Sequence, residues 1–298
     1  SNGQVIMNGV TEAPYLGADK AGVLLQGGAG AIVSTNTGDV FINGDAQNLV
    51  ADEYVMGVRL AAATVETTGS GSLNILGTRL ATDANYGIGV GLSDNSIIRS
   101  TAIGGGDINI TGDSLNFDLF SWGAGPNQIL SNGGLIHLEM LSPSTTVGGL
   151  GGFSTLQINA GTGGDVILAT DQAYDPANIN ISGTGTLSLV NVSPGTTFGL
   201  GTALGDITLD STALASLFSG GFTERVIGSP TAGDIVFDNF LNYGDPLTLQ
   251  TADNISLLGL TLTGNDQFAD LTLWSDADDN GSGGIIIDSG TTINTNGG

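Results

Sequence analysis

The side chains most able to do chemistry gather near the end of the chain, where Asp276-Ala277-Asp278-Asp279-Asn280-Gly281 satisfies the D-x-[DN]-x-[DN]-G half of a calcium loop. In such a loop alternating oxygens converge on the ion and the glycine permits a sharp turn. Asp276, Asp278 and Asn280 are the candidate calcium ligands on that pattern. The twelfth position, where an EF-hand needs a bidentate Glu, is Ile287, and Asp288 comes one residue late. The segment is therefore not an EF-hand, and a solvated acidic corner is the alternative.

His137 is the single histidine, so a histidine-based metal cluster is excluded and a Ser-His-Asp triad would have to use it. It lies in Leu135-Ile136-His137-Leu138, where alternation makes it an outward strand residue. A polysaccharide-active enzyme would place paired carboxylates on one face and would need cations for acidic sugars or developing charge. Arg59, Arg79 and Arg99 stand 20 residues apart, yet lie 21, 8 and 28 residues beyond the nearest strand starts identified below. They read as scattered surface residues, and no catalytic set is assigned. In Phe117-Asp118-Leu119-Phe120-Ser121-Trp122-Gly123, Phe120 and Trp122 fall on one side of an extended segment. They form a candidate carbohydrate platform, or else a core cap or the packing of a long corner loop.

These residues hang on one repeated phrase. Gly205-Asp206-Ile207-Thr208-Leu209-Asp210 returns as Gly233-Asp234-Ile235-Val236-Phe237-Asp238. Gly-Asp turns the chain, and the alternation that follows puts the apolar residues on one face of a strand. Relatives of the phrase begin at Gly38, Gly71, Gly106, Gly134, Gly164, Gly185, Asp253, Asp270 and Gly284, at separations between 14 and 35 residues. A strand of this kind cannot bury its face alone, so many copies point to stacked β structure whose corner loops vary in length. The shortest separations, near the end, mark two strands of one coil.

Composition agrees. Of 298 residues, 50 are Gly and only 11% are charged, against about 25% in ordinary soluble proteins. The solvent face must be Thr, Ser, Asn and Gly, which suit exposed strands and tight corners. Short helices are expected at Ser211 to Ser219 and at Asp45 to Val55. With no Pro-rich or charged linker, residues 1–298 read as one β domain. Net charge -24 repels phosphate backbones, so nucleic acid is not an expected partner. No Cys is present for a disulfide framework, and no apolar run approaches the 18 or so residues that cross a bilayer. Ser1-Asn2-Gly3-Gln4 has no secretion-signal pattern, and Thr295-Asn296-Gly297-Gly298 is a Gly-rich turn, so the chain reads as a segment of a longer one.

Ser211-Thr212-Ala213-Leu214-Ala215-Ser216-Leu217, followed by Arg225-Val226-Ile227-Gly228-Ser229-Pro230-Thr231-Ala232-Gly233-Asp234-Ile235, resembles a repeat of filamentous-haemagglutinin-like exoproteins, the adhesins of two-partner secretion. Asp245-Pro246-Leu247-Thr248-Leu249-Gln250 and Gly283-Gly284-Ile285-Ile286-Ile287-Asp288 are similar to the same family's idiom. The match is clearest from Gly205 to Asp288, and no Asn-Pro-Asn-Gly segment of a secretion domain is found near the start. The resemblance implies a right-handed parallel β-helix on the surface of a Gram-negative bacterium or secreted from it, acting in adhesion or as a surface fibre. It implies a glycan or cell-surface receptor and an outer-membrane transporter during secretion; end-to-end self-association as a fibre or coat subunit is the alternative. Such a coil would stack about 12 turns into a rod some 55 Å long. Ile108, Ile110, Val166, Leu168, Leu187, Leu189, Ile207, Leu209, Ile235 and Phe237 would point inward, and Asp107, Asp165, Asp206 and Asp234 would share one corner.

Overall fold

The computed structural model describes residues 3–11, 20–46, 55–79, 87–114, 117–141, 150–152, 154–172, 178–265 and 269–295. Among them the chain is all-β apart from the helix Ser211–Phe218, and its strands pair in parallel in three sheets. The first sheet has ten strands, stacked in chain order: Val5–Thr11, Val40–Ala46, Leu73–Arg79, Ile108–Ser114, Ile136–Met140, Val166–Thr170, Thr186–Val190, Glu224–Gly228, Leu247–Gln250 and Leu271–Trp274. Nine steps of about 4.8 Å make the stack about 43 Å long, shorter than the 55 Å rod expected, because ten turns rather than 12 contribute to it.

Between successive strands of the first sheet the chain crosses to the second, and beyond Thr186–Val190 to the third. Parallel pairing leaves no other course, since each strand must be re-entered from the same end. Long strands turn a corner without a loop. Val55–Thr67 pairs through 55–61 with Gly87–Ser93 and through 64–67 with Ile97–Ser100, with Ala62 at φ 51° between the two runs. Ile235–Tyr243 does the same at Asn239, φ 77°, where its register against Ile255–Gly264 shifts.

All ten residues expected to point inward are buried. In the first sheet Val40, Leu73, Ile108, Ile136, Val166 and Leu187 form one inner column, and Ile42, Ile75, Ile110, Leu138, Leu168 and Leu189 the next. β-branched and aliphatic side chains stacked on their like suit the close packing of a narrow interior. Ile207, Leu209, Ile235 and Phe237 are buried under the third sheet instead. The repeated phrase thus changes sheets at Gly205. The close spacing near the end has the same origin, with Ile255–Gly264 and Ile285–Ile287 in the third sheet and Leu271–Trp274 between them in the first.

The helix begins at Asp210, whose side chain accepts the N–H groups of Thr212 and Ala213, and it buries Ala213, Leu214 and Leu217. Its carbonyl end is met by Arg225, which occupies an inward position in the column of Leu187 and Leu247. Arg225 donates to the carbonyls of Leu217, Phe218 and Phe222 and to Asp245 Oδ2 at 2.6 Å, so a buried guanidinium replaces the missing intrahelical donors. The other expected helix, Asp45 to Val55, lies at 47–54 outside the described residues; Asp45 and Val55 belong to strands.

Candidate functional site

The outer face of the first sheet carries a concave groove of ≈480 Å³ across its first four strands. Register builds it. Ile6, Phe41, Asn74 and Asn109 form one outward column, and Asn8, Asn43, Leu76 and Thr111 form the next. Asn109 Nδ2 donates to Asn74 Oδ1 at 3.1 Å, while the amides of Asn8 and Asn43 have no protein partner among the described residues. Thr111 Oγ1 donates to Glu139 Oε2 at 3.2 Å, so Glu139 and its neighbour His137 mark the far end of the groove. His137 is half-buried between the inward Ile136 and Leu138, on the outward side as expected. Among the described residues no ionisable side chain lines the groove itself. Outward strand positions read in sequence as ordinary solvent-facing residues; the signal available was Phe41, Asn74, Asn109 and His137 at the same place in successive phrases.

Phe120 and Trp122 do lie on one side of their strand, ring centroids 5.9 Å apart and tilted by 30°. Phe120 is buried at 3% exposure with Met56 and Ile88 in a small apolar cluster outside the main core, so only half-buried Trp122 has ring surface to offer. Arg59 stacks on Trp122, its guanidinium carbon 5.6 Å from the ring centroid. Two of the three arginines are not the surface residues expected, and only Arg99 stays on an outward, partly exposed position. Arg59 and Arg79 are buried, and Arg99 holds Glu66 Oε2 through Nε at 2.8 Å and Nη2 at 2.6 Å. Val55–Thr67 is buried on both of its sides through residues 55–61, which strand alternation alone does not reveal.

Asp276, Asp278 and Asn280 form a partly exposed turn closed by its own donors. Asp276 Oδ1 accepts the N–H groups of Asn280 and Gly281, each at 3.0 Å, and Asn280 Nδ2 donates to Asp278 Oδ2 at 2.6 Å. Among the described residues no three carboxylate, imidazole or thiol groups meet in a metal-holding cluster.

The corner aspartates do not share one corner. Asp107 and Asp165 precede strands of the first sheet, whereas Asp206 and Asp234 precede strands of the third. Each accepts a backbone N–H: Leu135 to Asp107 at 3.1 Å, Thr186 to Asp165 at 2.7 Å, Thr197 to Asp206 at 2.9 Å and Asn254 to Asp234 at 3.0 Å. The N–H and hydroxyl of Thr197 hold the Asp206 carboxyl below the usual carboxylate range. Burial pushes Asp113 up, and burial with the nearby Asp270 charge pushes the Tyr243 phenol up.

Comparison with protein families, with curated proteins and with solved structures finds no match for this chain. Among the described residues no helix is long and apolar enough to cross a membrane.

Proposed function

We propose that the chain is a segment of a right-handed parallel β-helix serving as a stiff rod in a secreted or cell-surface adhesive protein. The observation that supports this is the first sheet: ten parallel strands in register over like-on-like apolar columns, with corner loops free to vary. A stack of this kind resists bending because every turn is hydrogen-bonded to the next, and it lengthens by adding turns. Right-handedness follows from the crossover rule for parallel strands. The resemblance of the 205–288 phrases to filamentous-haemagglutinin-like repeats supports reading such a rod as extracellular and adhesive.

Two measurements test the proposal. Negative-stain electron microscopy of the purified chain should show short rods about 40 to 50 Å long; filaments growing in steps of that length would favour a self-assembling fibre, and compact globules would overturn the rod. Microspheres coated with the chain should be retained under flow on cell-coated surfaces above albumin-coated ones. Equal retention would overturn the adhesive role.

A further inference from the structure

The groove on the first sheet is a concave, uncharged surface on a chain of net charge -24. We propose that it binds an uncharged saccharide chain, with sugar rings against Phe41 and hydroxyls on the amides of Asn8, Asn43, Asn74 and Asn109. The proposal deepens the adhesive role above and rests on it.

The chemistry of the lining selects the ligand. A sugar hydroxyl both donates and accepts, and so does a side-chain amide. The Asn109–Asn74 bond orients both amides and leaves an Asn74 N–H and the Asn109 carbonyl for a ligand. Ile6 at 59% and Leu76 at 37% exposure, with the half-buried Phe41 ring, supply the apolar surface on which the C–H face of a pyranose packs. Along the stack these groups recur every 4.8 Å or so, close to the length of one pyranose unit, so successive strands meet successive sugars. Acidic sugars would find no cation among the described lining residues and would be repelled by the chain as a whole.

The test uses the full chain on immobilised glucan, galactan and mannan oligosaccharides, beside uronic-acid and sulfated ones. Phe41→Ala and Asn109→Asp alter the groove at half-buried outward positions; Thr248→Ala, outward on the same sheet but outside it, is the control. Thermal melts within a few degrees of the parent confirm folding. Retention of at least one uncharged oligosaccharide is expected, weakened about tenfold or more by either groove variant, a loss of about 1.4 kcal/mol, and unchanged in the control. Retention of acidic sugars alone, no retention, or equal retention by the groove variants overturns the proposal. So does a concentration-dependent dimer in light scattering that Phe41→Ala abolishes, since a second copy would then be the occupant. Coated microspheres separate the two claims: adhesion undiminished by Phe41→Ala overturns the groove alone, and saccharide retention without adhesion overturns the adhesive role alone.

Discussion

Asp165 Oδ1 accepts the backbone N–H of Thr186 at 2.7 Å, and that bond ties one turn of the chain to the next. The same stitch joins Asp39 to Ser72 at 2.8 Å and Asp107 to Leu135 at 3.1 Å. Followed by register, the column before the first-sheet strands runs Asp39, Ser72, Asp107, Leu135, Asp165, Thr186, Glu224, Pro246, Asp270. Acids occupy every second place. They stand about 9.6 Å apart, two strand spacings, which is near the Debye length at physiological salt. The alternation relieves the repulsion that an unbroken acidic corner would suffer, and Asp39, Asp107 and Asp165 each accept a corner backbone N–H as well.

Asp165→Ala removes that acceptor and leaves the Thr186 N–H to water. The loss should be about 1 kcal/mol, as for a lost helix cap, and Asp165→Asn should recover most of it because an amide oxygen accepts the same bond. Denaturant midpoints of the two variants check this. Equal losses would mean that the charge, rather than the acceptor, matters.

Arg225→Met should cost more, about 3 kcal/mol or above, because it strands the two helix-end carbonyls of Leu217 and Phe218, the Phe222 carbonyl beyond them and Asp245 at a buried site. Its side chain is 2% exposed, while that of Asp245 is 41% exposed. Asp245→Asn should therefore cost much less, leaving the carbonyl bonds in place. A loss from Asp245→Asn as large as from Arg225→Met would show that the ion pair, not the carbonyl capping, holds the site.

The inward columns were legible because strand alternation has a period of two and the residues at Ile108, Val166 and Leu187 keep to it. Which sheet a strand joins was not, since Gly205-Asp206 and Gly164-Asp165 read alike although they open strands of different sheets. The glycine of the phrase had a legible place and a hidden reason: a Cβ on Gly106 would collide with the carbonyl of Gly71 in the turn before. Arg225 was missed as an inward residue because only the carbonyl end of a neighbouring helix calls for it. Burial of Arg59 and the groove beside Phe41 depend on what lies across and along the stack, and local pattern carries neither.

Asp206 should give the fold an acid-sensitive contribution. Its carboxyl, held low by two bonds from Thr197, binds a proton less readily folded than unfolded. The stability it contributes is present above the ordinary value of 3.8 and is lost as pH falls through the depressed one. Asp206→Asn removes this titration, so the stability difference between parent and variant should shrink as pH drops below about 4. A difference constant from pH 7 to pH 2.5 would rule the linkage out.

Tyr243 is 1% exposed, and its hydroxyl has no hydrogen-bond partner among the described residues. An unsatisfied buried hydroxyl carries a desolvation cost that phenylalanine lacks. Tyr243→Phe should therefore leave the fold as stable or raise it by about 1 kcal/mol. Alkaline conditions sharpen the test. Burial and the Asp270 charge raise the phenol, so the unfolded chain ionises first, and stability falls as pH rises through the ordinary tyrosine value near 10. The variant lacks that loss and should hold its melting temperature further into the alkaline range than the parent. A variant less stable than the parent at pH 7 by more than about 1 kcal/mol would mean that the hydroxyl is bonded in solution, through an ordered water.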